Sequence, residues 1–224
     1  MKLYSGPLSM FGAKAEIAAL EKGLDVELIM VPFEMKTLYQ PKHPEVLRTN
    51  PKRQVPVLID SGPGGDLEIF DSTQIFEYFE TIEPEPALWP SEPKARARAR
   101  LLEHKSDEVY FPSVVRLMGR QGGSDDPAAV EARAAATSFY DEMENGLGAS
   151  EWLAGRYSYA DIAFYMAQLF GERWGAPLGD AHPRLKTWRH NMGARPAVRR
   201  VAGAMGRYLQ SQGRTLPAFL AELT

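Results

Sequence analysis

The chain has 224 residues, 44% hydrophobic and 25% charged, the balance of an ordinary globular protein with material for one large domain or two small ones. Lysine and arginine number 26 against 29 acidic residues, so the net charge is −3 and no overall field draws the protein to nucleic acid or an anionic membrane. Cysteine is absent, which excludes a disulfide framework, a thiolate metal site and a protein thiol nucleophile, and leaves thiol chemistry to a thiol carried by a ligand.

Met1 to Ser5 reads as a short strand, ended by Gly6-Pro7. From Met10, the residues Ala13, Ile17, Leu20 and Leu24 recur at helical spacing, and Gly23 closes the helix. Val26 to Val31 is a nearly continuous apolar run, the pattern of a strand buried in a parallel or mixed sheet. Strand, helix and strand together predict a βαβ unit. Between residues 33 and 49, Pro41 and Pro44 interrupt the pattern, which predicts a loop with a short helix at Glu45 to Arg48.

Asn50 to Ser72 is the stretch with most to say about function. Val55-Pro56 opens the apolar run Val57, Leu58, Ile59, and Pro56 belongs at a strand start or on an edge because it cannot donate to a ladder. A cis Val55-Pro56 bond is the other arrangement such a turn admits. The glycines that follow (Gly62, Gly64, Gly65) precede a strand and no lysine, so they do not form a phosphate loop. Leu67 and Ile69 alternate with polar residues, and Asp71-Ser72-Thr73-Gln74 then reads as a capped helix start. The stretch is read as a plain buried hairpin with a capped helix, or as a site that offers a backbone edge at Val55 to a peptide and free N–H groups to a carboxylate.

Ile75, Phe79 and Ile82 mark one face of that helix, and the order β-α-β-(α)-β-β-α is thioredoxin-like. The segment from Glu83 to Pro93 holds several prolines and no period, and reads as a linker. Everything beyond it is helical by pattern: Lys94 to Met118 with a kink at Pro112, a helix opened by Asp126-Pro127, one opened by a Ser158-x-x-Asp161 capping box, then Pro183 to Met192, Pro196 to Gln212 and a last turn. The prediction is an α/β thioredoxin-like domain at residues 1–82, a linker at 83–93 and an all-helical domain at 94–224. In the run from Lys94 to Arg100, Arg96 and Arg100 share a helix face and Arg98 does not, which suits a solvated face or a subunit contact. The four histidines, His43, His104, His182 and His190, have no metal-ligand spacing. No apolar run reaches spanning length and the N-terminus has no long apolar core, so cytoplasmic residence is the expectation.

Asparagine-proline, valine-proline and acid-serine before a helix, followed by a proline-rich linker and a helical half, resemble the cytosolic glutathione S-transferase family. The resemblance implies that glutathione is the co-substrate, with no metal, and that its thiol is ionised at the N-terminus of the first helix. Ser9 matches the position used in serine-type classes such as theta; Ser5, at the strand end, and Tyr4, within the strand, rank below it. Val55, followed by Pro56, is implied to pair its backbone with the cysteinyl part. Ser72 and Asp71 hold the γ-glutamyl end, Gln54 lies near the glycyl end, and Lys42 or Arg53 neutralises the glycyl carboxylate, though either cation equally reads as a solvated surface charge. Met10, Phe11, Tyr110, Phe111, Val114 and Met118 match the electrophile pocket, although aromatic and methionine stripes at helical spacing are usually core.

The expected activity is transfer of glutathione to an apolar electrophile, with a detoxification role and a homodimer implied by the family. Missing cysteine argues against the cysteine-type branches, and the first loop lacks the serine-serine-cysteine motif of the zeta isomerases. Ether cleavage, dehalogenation and peroxide reduction stay open, as does a non-catalytic ligand-binding protein on the same fold.

Overall fold

The computed structural model describes residues 1–62, 64–119 and 125–224. In chain order its elements are β1 (Lys2–Ser5), α1 (Met10–Glu21), β2 (Glu27–Met30), α2 (Pro44–Thr49), β3 (Val57–Gly62), β4 (Gly65–Phe70), α3 (Ser72–Ile82) and α4 (Pro93–Lys105). A π-helical turn (Ser106–Tyr110) leads to α5 (Phe111–Met118), followed by α6 (Pro127–Leu147), α7 (Tyr159–Arg173), α8 (Pro183–Ala194), α9 (Pro196–Ser211) and α10 (Ala218–Ala221). No helix among the described residues is long and apolar enough to cross a membrane.

The first compact unit comprises residues 1–86, 197–215 and 223–224. Its sheet has the order β2-β1-β3-β4, with β1 and β2 parallel and the other pairs antiparallel. Leu3, Val57 and Leu58 are fully covered on the sheet, and Ala15, Ile17 and Ala18 of α1 and Ile75, Phe76 and Phe79 of α3 complete the core. Lys22, at the end of α1, is buried but fully occupied: its Nζ lies 2.6 Å from Glu80 Oε2 and donates to the carbonyls of Glu83 (2.6 Å) and Pro86 (3.1 Å). A buried ammonium is tolerated because it is paired and hydrogen-bonded.

Two expectations change here. Strand β2, expected to be buried, is an edge strand with β1 as its one partner, and Leu28 and Met30 are 44% and 46% exposed. An apolar run reports strand propensity, and it cannot distinguish a central position from an edge. The C-terminal region, expected to lie wholly in the helical domain, is divided: residues 197–215 group with the first unit. The cause is the stripe Val198, Val201, Met205 and Leu209, which is buried and, through Val201 and Met205, borders cavities walled by α1 and β2.

The second unit comprises residues 87–196 and 216–222. Its core is aromatic: Tyr110 and Trp188 both pack on Phe164, with centroids 5.5 and 5.2 Å away, and Tyr110 Oη lies 2.5 Å from Tyr140 Oη. Where a kink is expected at Pro112, the helix widens into the π turn and resumes as α5 with Pro112 in its first turn. Proline has no N–H to give to the preceding turn, and a π turn is one way to absorb that loss. Asp126 caps α6 through the Ala128 N–H (3.2 Å), as its sequence position predicts.

Candidate active site

The register brings three segments to one end of the sheet. Tyr4 pairs with Val57, and Val57 pairs with Phe70. Because β3 runs against both neighbours, the end of β1, the start of β3 and the end of β4 lie side by side. The loop into α1, the Val55-Pro56 corner and the Asp71-Ser72 entry to α3 are therefore neighbours, though they are far apart in sequence.

Ser9 is the N-cap of α1, with extended backbone (φ −100°, ψ 113°) and a side chain that is nearly buried. Its Oγ accepts from the Gly12 N–H at 3.0 Å, and no described group accepts its own hydroxyl proton. Ser5 differs: it is fully buried, and its Oγ donates to Glu16 Oε1 at 2.5 Å. The ring of Tyr4 packs with Val31, Val46 and Val57 and lies 5.0 Å from the His43 ring, so it belongs to the core of the sheet. Burial pushes the Glu16 carboxyl up to about 7, against the opposing pull of the Ser5 hydrogen bond and the Arg200 charge.

Two glycines allow this packing. A Cβ on Gly12 would lie 2.2 Å from Ser5 Oγ, and a Cβ on Gly6 would lie 2.3 Å from the Tyr39 ring. The Tyr39 hydroxyl accepts from the Leu8 N–H at 3.3 Å, so this tyrosine lies against the first loop. Gly12→Ala forces Ser5 away from Glu16, and the expected result is a loss of about 1–3 kcal/mol of stability, read from a urea midpoint.

Asn50 builds the Val55 corner. Its Nδ2 donates to the Gln54 carbonyl (2.6 Å), its Oδ1 accepts from the Lys52 N–H (2.9 Å), and its carbonyl accepts from the Arg53 N–H (2.7 Å). Val55-Pro56 is cis. Pairing in β3 begins at Val57, and the Val55 backbone makes no hydrogen bond among the described residues. Pro56 is buried, Val55 half-buried, and Gln54 exposed.

At the third segment Asp71 caps α3, accepting from the N–H groups of Thr73 (3.0 Å) and Gln74 (3.3 Å). The expectation of free N–H groups at this helix mouth is thereby narrowed, because the Asp71 carboxylate already occupies two. Asp71 has φ 78°, a region uncommon for residues with a Cβ and found where ligands are clamped. Ser72 follows it and is buried. Lys42 is half-buried with Nζ 5.7 Å from the Tyr39 ring centroid, and it has no carboxylate partner among the described residues. Arg53 is exposed and has φ 56°.

The candidate electrophile residues fall in both units. Met10 is buried and Phe11 half-buried on α1. Tyr110, Phe111 and Val114 are buried, with Phe111 against Phe170 at 6.1 Å, and they build the core of the helical unit. Met118 is half-buried at the end of α5. Sequence reasoning missed Glu16, Tyr39 and Gly12. The available signal for Glu16 was an acid set between Ala13 and Ile17 on the apolar face of α1.

Residues 3–87 match the family model described as glutathione S-transferase, N-terminal domain, and residues 107–196 match that described as glutathione S-transferase, C-terminal domain. Glutathione S-transferase 3 of Zea mays is 31% identical over 216 residues, covering 92% of this chain and 94% of that protein. FtsZ-localized protein A of Caulobacter vibrioides is 29% identical over 214 residues, covering 89% of each. A solved glutathione transferase family member from Pseudomonas fluorescens pf-5, with two glutathione bound, is 28% identical with a TM-score of 0.75, covering 89% of this chain and 91% of that one. The valine-proline corner, the acid-serine helix entry and the serine-capped first helix thus sit in a chain matched along most of its length, and the chain belongs to the glutathione S-transferase family.

Proposed function

We propose that the protein binds glutathione along the Val55 edge, ionises its thiol at the mouth of α1 and transfers it to an apolar electrophile. The observation that carries this reading is the difference between the two serines. The hydroxyl proton of Ser5 is committed to Glu16, whereas Ser9 accepts from the Gly12 N–H and keeps its own proton to donate. Accepting that N–H also polarises the hydroxyl and strengthens it as a donor.

The magnitudes suffice only in combination. Lowering a thiol from about 8.5 by about two units requires roughly 2.7 kcal/mol. A helix N-terminus contributes about 0.3–1 kcal/mol, rising to about 2 in a partly buried site. A hydrogen bond to a charged acceptor contributes about 1.5–3 kcal/mol. The Val55 N–H and C=O pair with the cysteinyl unit, with Pro56 fixing the corner. Ser72 and Asp71 take the γ-glutamyl end, and Gln54 and Lys42 lie toward the glycyl carboxylate. Of the residues matched to the electrophile pocket, Tyr110, Phe111 and Val114 are spent on the core of the helical unit, so Phe11, half-buried on α1, is the side chain of the first unit offered to the electrophile, in a homodimeric cytoplasmic enzyme. The Pseudomonas fluorescens relative with glutathione bound supports the choice of tripeptide.

Ser9→Ala is expected to lower turnover with an electrophilic aryl halide by ten-fold or more while glutathione affinity stays within two- to three-fold. Steady-state kinetics with binding calorimetry measure both, and wild-type turnover in the variant would reduce Ser9 to a helix cap.

A second reading is a non-catalytic protein on the same fold, supported by a relative that is named for its localisation with FtsZ and not for an activity. Tyr39 also points that way, because its hydroxyl occupies the Leu8 N–H of the first loop. Retention on immobilised glutathione without thiolate formation would select this reading.

A further inference from the structure

The first unit holds a cavity at the β2 edge of its sheet. It has a volume of about 140 Å³ and is walled by Leu20, Leu24, Leu28, Met30 and Val201, with Glu16 and Arg200 as its charged members. No residue that lines it is among the candidate glutathione contacts. Apolar walls come from α1, β1, β2 and α9 and from the turn between α1 and β2, so the cavity follows from β2 lying at the sheet edge with α9 laid beside it. An engineered cavity of about 150 Å³ with apolar walls takes up benzene in another protein, so this one has the size for a single ring.

The charged groups narrow the ligand further. Arg200 is exposed and makes no hydrogen bond or ion pair among the described residues. Glu16, the acid whose field reaches it, is buried and bonded to Ser5, and burial disfavours its charge. The guanidinium therefore lacks a full counter-charge, at the edge of a ring-sized apolar space. An arginine fork matches a carboxylate in shape as well as charge.

We propose that this cavity is a binding site for an aromatic monocarboxylate, with the ring among the leucines and the carboxylate on Arg200. Glu16 is shared with the Ser5 bond, but no lining residue is a candidate glutathione contact, so the proposal stands whether or not the thiolate reading does.

The test is calorimetric titration of the full chain with phenylacetate, and with phenylacetamide as its uncharged counterpart. Phenylacetate is expected to bind once per chain, at least ten-fold tighter than the amide, and equally well with saturating glutathione present. Arg200→Met should erase the difference between the two ligands. Ala204→Trp, at an exposed position lining the cavity, should reduce the affinity of both by ten-fold or more. Circular dichroism and glutathione binding of each variant check that it is folded. Absence of binding, equal binding of acid and amide, displacement by glutathione, or unchanged binding in folded Ala204→Trp would each overturn the proposal.

Discussion

Asp161→Ala is expected to destabilise the protein by about 3–5 kcal/mol, a large share of the roughly 5–15 kcal/mol that holds a typical domain folded. Asp161 is fully buried at the start of α7. Its Oδ2 accepts from the Ser158 N–H (2.9 Å) and the Ser158 hydroxyl (3.1 Å). Its Oδ1 accepts from the Leu153 N–H (2.9 Å) and the Trp188 indole N–H (2.9 Å). One carboxylate therefore satisfies the helix entry, the loop before it and α8. Alanine leaves these donors buried without acceptors, at about 1–3 kcal/mol each, partly recovered by relaxation and water. Urea denaturation measures the loss, and a change below about 1 kcal/mol would contradict this account. Asp161→Asn keeps one carbonyl oxygen and should fall between the two.

The second large effect is on pH. Glu16 ionises near pH 7 in the folded chain, against 4.5 for an ordinary glutamate. Its folded pKa is raised, so folding favours the protonated form. The stabilisation is whole below about pH 4.5, declines as pH rises toward 7, and is absent above it. Across that window the contribution is on the order of 3 kcal/mol. Glu16→Gln keeps the shape and an acceptor for Ser5 but cannot ionise. The variant should match the parent near pH 4.5 and exceed it by about 3 kcal/mol near pH 8. Paired urea midpoints at the two pH values cancel the other titrating groups, and a difference independent of pH would show that Glu16 ionises normally.

These residues also mark what the sequence makes legible. The Ser158-x-x-Asp161 box is local, and its spacing alone announces a helix start. Its bonds to Leu153 and Trp188 are not legible, because a neighbour 27 residues away is set by how α8 packs on α7. The same division holds at the candidate site. Val55-Pro56, Asp71 and Ser9 stand out because proline, a capping acid and a capping serine have local geometric consequences. Their convergence needs the register Tyr4–Val57–Phe70, which single-strand patterns do not encode. Strand β2 misled for a related reason: Leu28 and Met30 read as buried residues, yet their exposure depends on which strands lie beside them. The Ser5–Glu16 bond was hidden because an acid on an apolar helix face gives no sign of its partner until β1 and α1 pack together.

The most direct test is the ultraviolet thiolate absorbance of glutathione titrated into the protein across pH 5 to 9, with Ser9→Ala in parallel. The account predicts that bound glutathione ionises about two units below its free value near 8.5, and that the alanine variant returns most of that shift. Glutathione that binds with its thiol at the free value, or an unaltered shift in Ser9→Ala, would contradict it.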